Sequence, residues 1–369
     1  SLGALTYAIE GGTLTFNTGN DTTLPSYNGT DGDLAQSQNY DGEGAGVELG
    51  MFTFNSVSIG AGGETVTVEV NGNRGLVLAS RGKMTIGENV TFNVHGSSGS
   101  EATGGSGGPG AEGGTSSFTG SATSNSAPPD SDRGDGGDGW VDTNILYGNH
   151  GIGYGGGEAE GTGSDNVDCG SGGGGYGGAG NDGRYADGGS TYGEADGSLA
   201  TLYGGSGGGG GVRGQGTAYG GGGGGGAIEL VAAGTLIIEG NIRAGGGHGQ
   251  GSGWSSAGGG GSGGGVILAA DSLELSADSD VDVGGGNGGD TDGGNAGGGG
   301  GGRVAFYANT LSIGGTPVSI DGETTTDYSA YVDGSVGARG TGGSAGTHYV
   351  DSVRGFPYAN PAGTVIVVR

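Results

Sequence analysis

Short apolar stretches recur along the chain at a fixed spacing. The segments LVLASRGKMTIG, AIELVAAGTLII, VILAADSLELSA and RVAFYANTLSIG share one design, in which an apolar strand is followed by a polar corner and a second strand. Ile228, Val266 and Val304 hold equivalent positions in three of them and are 38 residues apart. A constant period of roughly 20–50 residues is typical of repeat proteins.

The second strand of each repeat alternates apolar and other residues, which is the pattern of a half-buried strand. Leu273 and Leu275 flank Glu274, and Leu311 and Ile313 flank Ser312. Earlier stretches such as TLTFNT, ETVTVEV and VTFNV are rich in β-branched and aromatic residues, and no stretch has a capped helical period. We therefore predict an all-β fold, a parallel β-solenoid (β-helix) whose strands stack on those before them.

Glycine supplies 107 of the 369 residues, against a usual share of roughly 7%. A flexible linker is one interpretation of the tracts between about residues 96 and 226. The later tracts fall inside the 38-residue repeat, which favours ordered glycine. Extended glycine strands can pack closely because no Cβ separates their backbones, so we also predict polyglycine II-like layers.

These patterns divide the chain into four regions. Residues 1–96 form an N-terminal strand region, 97–226 a glycine-rich insertion with Tyr and Asp, 227–322 the 38-residue solenoid repeats, and 323–369 a C-terminal region.

The charge is strongly negative, with 39 acidic and 11 basic residues and a net charge of −28. Such a surface repels nucleic acid and anionic lipid, so we expect neither as a partner. No apolar run approaches the roughly 18 residues that span a bilayer, so we expect no membrane insertion. The single cysteine permits no internal disulfide. The first residue is Ser1, which we interpret as the start of a mature secreted product.

Acidic residues are densest in the segment PPDSDRGDGGDGWVDTN. Carboxylates spaced among glycines suit calcium, which takes about six to eight oxygen ligands, and calcium is the candidate cofactor. The segment lacks EF-hand spacing and the serial repeats of calcium β-rolls, so a solvated acidic loop is the alternative. The candidate ligands are Asp130, Asp132, Asp135, Asp138 and Asp142.

Aromatic residues are scattered through the glycine tracts. Their rings could pack on glycine surfaces, or they could face outward and stack on sugars of a polysaccharide. The candidates for glycan stacking are Tyr176, Tyr185, Tyr192 and Trp254.

Catalytic motifs are missing from the sequence. The four histidines have no carboxylate at motif spacing, the basic residues are scattered, and no HExxH or P-loop occurs. We predict that the protein is not an enzyme and that it has no catalytic residue.

Both ends of the chain read as strands that could add to a neighbouring copy. Capping of the chain's own sheet is the alternative use. The C-terminal candidate strand is Thr364, Val365, Ile366, Val367 and Val368, and the N-terminal candidates are Leu5, Tyr7, Ile9, Leu14 and Phe16. Head-to-tail addition of identical subunits builds an open filament unless the rotation closes it.

The stretches ETVTVEVNGNRGLVLASRGKMTIGENV, GGGGGGAIELVAAGTLIIEGNI, GGGVILAADSLEL and GGGGGGRVAFYANTLSI resemble those of large glycine-rich secreted or cell-surface proteins of environmental bacteria. The resemblance covers about residues 50–320 and implies a β-helical fold and a secreted, extracellular or cell-surface location. The long insertion and both ends depart from that pattern.

Together these patterns predict an extracellular structural protein that assembles with itself, head to tail, into a filament, sheath or matrix fibre. The alternative is a surface adhesin or receptor-binding tip that recognises glycans. An ice-binding protein is a third interpretation, but it would need regular columns of Thr-x-Thr pairs such as the one that Thr65 and Thr67 form.

Overall fold

The computed structural model describes much of the chain, with gaps in the glycine-rich and terminal regions. The described residues are 2–19, 25–27, 30–31, 33–36, 48–100, 103–109, 140–141, 150–159, 170–184, 186–194, 199, 201–213, 219–252, 256–290, 296–320, 332–333, 343–352, 359–360 and 364–365.

Strands are the regular secondary structure of this part of the chain, and no helix occurs within it. The strands are β1 (Ala4–Tyr7), β2 (Gly12–Gly19), β3 (Ser26–Tyr27), β4 (Thr30–Asp31), β5 (Asp33–Gln36), β6 (Glu48–Phe54), β7 (Ser56–Ile59), β8 (Val66–Gly72), β9 (Gly75–Ser80), β10 (Met84–Ile86), β11 (Val90–Asn93), β12 (Trp140–Val141), β13 (Val212–Arg213), β14 (Ala227–Ile238), β15 (Asn241–Arg243), β16 (Gly265–Leu275), β17 (Asp280–Asp282), β18 (Arg303–Ile313), β19 (Thr316–Val318), β20 (Val332–Asp333), β21 (Thr347–Asp351), β22 (Ala359–Asn360) and β23 (Thr364–Val365).

Two large sheets dominate. The first has 11 strands. Seven follow the order β1-β7-β10-β14-β16-β18-β19. The other four pair outside that order: β9 with β14, β6 with β9, β5 with β6, and β21 with β18. The second has eight strands in the order β20-β17-β15-β11-β8-β2-β3-β4. Two further pairs, β12 with β13 and β22 with β23, form small separate sheets.

The prediction of a parallel β-solenoid is wrong. The described strands form multi-strand sheets that mix parallel and antiparallel pairs, and these sheets do not define a clear solenoid. Antiparallel partners occur at β2 with β3, β3 with β4, β5 with β6 and β18 with β19. The accompanying prediction of polyglycine II-like layers falls with that fold class.

The turn after β18 gives a physical reason for one of these reversals. Ile313 pairs with Thr316 across a two-residue loop, Gly314 and Gly315, whose φ angles are 56° and 76°. Positive φ at both central residues is the requirement of a type I′ hairpin turn, which sends the next strand back along its neighbour. The strand that follows therefore runs antiparallel.

Parallel pairing does link the apolar repeats. Ile228 lies beside Val266, and Val266 lies beside Val304; Leu236, Leu273 and Leu311 are aligned in the same way. Strands β9 and β10 also pair directly with β14, although more than 130 residues separate them along the chain. The first sheet is therefore continuous across the glycine-rich insertion.

The main core lies between the two sheets. Leu230, Leu268 and Phe306 from the first sheet join Phe92 and Ile242 from the second in one buried apolar cluster. Each such side chain contributes about 1.5–3 kcal/mol on burial. This cluster holds the sheets together.

The outer face of the first sheet is also buried along the half that contains Ile228, Val266 and Val304. On β16, Ile267 and Ala269 point away from the main core into a second apolar cluster, which Leu202 and Tyr203 of the insertion cover. Burial on both faces explains why residues 266–270 of this strand are a continuous apolar run, whereas the exposed second half alternates.

Glycine tracts form a third packed unit, which we call the glycine layer. It comprises the described glycine-rich residues of 96–109, 150–159, 170–194, 203–211, 219–226, 244–252, 256–264, 284–290, 296–302 and 343–346. Its backbone groups bond between tracts that are distant in sequence: Gly261 N–H donates to Gly247 O over 2.9 Å, and Gly286 N–H donates to Gly261 O over 2.8 Å. Paired backbone polar groups can be buried without the cost of lost hydration.

No helix in the described ranges is long and apolar enough to cross a membrane.

Candidate functional site

The first sheet ends in an open strand edge at β1. This strand pairs in parallel with β7, and no strand within the described ranges pairs with its other edge. Gly60 N–H donates to Tyr7 O over 2.8 Å, so the backbone groups of Tyr7 face β7. Because these groups alternate in direction along a strand, those of Thr6 point to the open edge. The Thr6 side chain is exposed.

The N-terminal residues predicted for assembly have different positions. Leu5, Leu14 and Phe16 are buried in the main core, so their side chains already stabilise this chain. Tyr7 is half-buried and donates its hydroxyl proton to Thr13 O over 2.9 Å. Ile9 is 59% exposed in the turn that follows. At this end, the backbone edge of β1 and the Ile9 side chain are the parts that could contact a neighbouring copy of the protein.

The opposite end of the first sheet has its own open edge at β21. This strand pairs in parallel with the first half of β18, and Thr347 N–H donates to Gly302 O over 3.1 Å. The backbone groups of His348 and Val350 therefore point away from β18. No strand in the described part of the chain pairs with that side.

The two open edges lie in different halves of the sheet. Strand β1 is aligned, through β7 and β10, with the half that contains Leu311, whereas β21 is aligned with the half that contains Val304. At each end the remaining half carries an antiparallel strand, β5 on β6 and β19 on β18. Each end of the sheet therefore combines one parallel strand with an open edge, β1 or β21, and one antiparallel strand, β5 or β19.

Residues predicted as the C-terminal assembly strand are only partly described. Thr364 and Val365 form β23, which pairs antiparallel with β22 in a small sheet of its own. Ile366, Val367 and Val368 lie outside the described residues.

An aromatic cluster joins the glycine layer to the outer face of the first sheet. Tyr176, Tyr192 and Tyr203 are buried, with Tyr176 and Tyr192 ring centroids 4.6 Å apart. Tyr176 and Tyr192 were candidates for glycan stacking, with packing as the alternative, and their burial corrects the stacking assignment because both rings pack inside the protein. The other two candidates, Tyr185 and Trp254, lie outside the described residues.

Arg303 anchors this cluster from the sheet side. Its guanidinium donates to Glu194 O over 2.8 Å and to Tyr192 O over 2.6 Å, and its Cζ lies 5.4 Å from the Tyr176 ring centroid. A cation near an aromatic face is stabilised by the ring quadrupole. Arg303 therefore fixes the 192–194 segment to β18.

Glu229 is an unusual acidic residue in the outer apolar cluster. It is 3% exposed on β14 and lies between Val77 and Ile267 on the neighbouring strands. Burial raises the pKa of its carboxyl to about 8. The group is therefore mostly protonated at neutral pH.

Two histidines also sit in partly buried positions. Burial lowers the pKa of His150, and the Glu158 carboxylate opposes that shift. Burial alone lowers the pKa of His348. Neither environment favours the charged imidazolium.

The candidate calcium ligands Asp130, Asp132, Asp135, Asp138 and Asp142 all lie outside the described residues. Within the described ranges, no three His, Cys, Asp or Glu side chains are grouped so that they could hold a metal ion.

Comparisons of the chain with protein-family models, curated proteins and solved structures find no match.

Sequence reasoning missed three positions. Tyr154 is 68% exposed and lies against the aromatic cluster, Arg303 anchors that cluster, and Glu229 is buried. A glutamate within the apolar run AIELV was the one available signal for the last of these. Nothing local distinguishes Arg303 from the other isolated basic residues.

Proposed function

We propose that this protein is an extracellular structural subunit that assembles with itself, head to tail, into a filament, sheath or matrix fibre. The observation that supports the proposal is the pair of open strand edges, β1 and β21, at opposite ends of the same sheet. Open edges carry unpaired backbone donors and acceptors that can template another strand. The proposed role is mechanical, not catalytic.

Stacking one copy on the next would join strands of opposite direction. The β21 edge of one copy would face β5 of its neighbour, and the neighbour's β1 edge would face β19 of the first copy. Because β5 and β19 run antiparallel to the rest of their sheet, both contacts would be antiparallel pairs. Antiparallel pairing is at least as stable per residue as parallel pairing.

Charge would oppose this assembly. Each copy carries a net charge of −28, and repulsion between copies extends about 30 Å at 0.01 M salt but about 3 Å at 1 M. Assembly should therefore be examined at low and high salt. Calcium, the candidate cofactor, should be compared with a chelator in the same series.

Changing Thr6 to Pro tests the β1 edge. Proline removes the N–H that points outward and leaves the bonds to β7 in place, so we expect assembly to require about tenfold more protein. Thr6→Val is the matched control, because it keeps the N–H and should assemble like the wild type. Negative-stain electron microscopy and light scattering across a concentration series provide the measurement.

A threshold concentration for filaments that rises in Thr6→Pro and stays at the wild-type value in Thr6→Val would support the proposal. A wild-type chain that stays monomeric at every concentration, salt and calcium level would contradict self-assembly. Filaments unchanged by Thr6→Pro would instead show that β1 takes no part in the joint.

A further inference from the structure

Tyr154 lies at the tip of a turn on the surface of the glycine layer. Gly156 N–H donates to Gly153 O over 3.1 Å, and this bond closes a turn with Tyr154 and Gly155 at its centre. Gly153 has a φ of 125°, which suits glycine and few other residues. The turn presents the Tyr154 side chain outward, where it is 68% exposed.

The ring is supported from behind. Its centroid lies 5.6 Å from that of Tyr192 and 5.8 Å from that of Tyr203, and the planes are inclined by 52° and 76°. Both supporting rings are buried, and Arg303 holds the Tyr192 segment in place. Tyr154 therefore offers a flat aromatic surface with a restricted orientation and a low entropy cost on binding.

Polar side chains border this ring. Glu158 N–H donates to Asp187 O over 3.0 Å, and a Cβ on Gly155 would overlap the Ser190 carbonyl oxygen, so the two segments run side by side in opposite directions. This arrangement places exposed Ser190 and Thr191 next to Tyr154, with exposed Asp187 and Glu158 farther along the same strip.

We propose that Tyr154 and this strip form a binding site for a neutral polysaccharide. A pyranose ring has an apolar face of C–H groups that stacks on an aromatic ring. Its hydroxyls can donate to the Ser190 and Thr191 hydroxyls and to the carboxylates. Asp187 and Glu158 lie in this strip, and Asp182 accepts from Gly188 N–H over 2.9 Å beside it, so an anionic polysaccharide would be repelled.

The site is independent of the strand edges and extends the proposed structural role to contact with a sugar matrix. Cellohexaose serves as the neutral probe and a hexamer of galacturonic acid as its anionic counterpart. Saturation-transfer NMR and calorimetry on the full chain report binding. We expect Tyr154→Ala to weaken cellohexaose binding at least about tenfold, and Tyr154→Phe to bind like the wild type.

Glu88→Ala is the control, since Glu88 is exposed in the turn between β10 and β11 and lies outside both this strip and the strand edges. Circular dichroism melting of each variant confirms folding. Absence of cellohexaose binding, or binding that Tyr154→Ala leaves unchanged in a folded variant, would overturn the site. Equal binding of the anionic hexamer would overturn the assignment to neutral sugars.

Discussion

Replacing Gly286 with alanine is expected to destabilise the protein by about 3 kcal/mol or more, because there is no room for a Cβ. Gly286 is buried in the glycine layer, and an added Cβ would lie closer than 3.0 Å to the carbonyl oxygen and carbon of Gly247. Those atoms are backbone and cannot rotate away. Gly286 also donates to Gly261 and accepts from Gly299, so a shift would strain both bonds. Urea denaturation followed by circular dichroism gives the free energy of unfolding.

Gly234→Ala is the matched control. The nearest atom to a Cβ there is Gly82 O at 3.4 Å, which is ordinary contact, and its φ lies outside the left-handed region. Alanine should change stability at this position by less than about 1 kcal/mol, since it also lowers the entropy of the unfolded chain. Equal, small effects at both positions would contradict the tight packing of the glycine layer.

Glu229→Gln should stabilise the protein at pH 8 by as much as about 5 kcal/mol and have little effect near pH 4. The folded carboxyl has a pKa of about 8, against its ordinary value of 4.5. Below pH 4.5 both states hold the proton and no penalty exists. Between 4.5 and 8 the unfolded state releases the proton while the folded state retains it, so stability falls by about 1.4 kcal/mol per pH unit. Denaturation curves of both proteins from pH 4 to 9 test this.

The difference between wild type and variant isolates Glu229 from the other carboxylates, which titrate in both proteins. Glu274→Gln is the control because Glu274 is exposed on the neighbouring strand β16. Its difference curve gives the baseline for removing an exposed carboxylate. A flat curve for Glu229→Gln would contradict the raised pKa.

Local patterns in the sequence predicted the apolar strands and their spacing. The structure pairs Ile228, Val266 and Val304 in register, as expected for residues that hold equivalent positions in successive repeats. The type of sheet was wrong because reversals depend on turn geometry. In a chain with 107 glycines, Gly314 and Gly315 carry no local mark that separates a hairpin turn from an extended tract.

Burial of the tyrosines was equally hidden from the sequence. Tyr154, Tyr176 and Tyr192 are each followed by glycine, yet Tyr176 is fully buried and Tyr154 is exposed. Their positions depend on contacts with residues that are remote in sequence, such as Arg303. Glu229 illustrates the same limit, because alternation alone places it on a face that would be open to water if the insertion did not cover the sheet.

The glycine layer also has a genetic consequence. Every missense change in a glycine codon adds at least a Cβ, and at positions such as Gly261, Gly263 and Gly297 that atom would overlap a neighbouring carbonyl. The gene therefore presents a wide target for harmful point mutations in this region. Change would be tolerated at surface sites such as Ser190 and Thr191, where new side chains could alter what the protein binds without disturbing its interior.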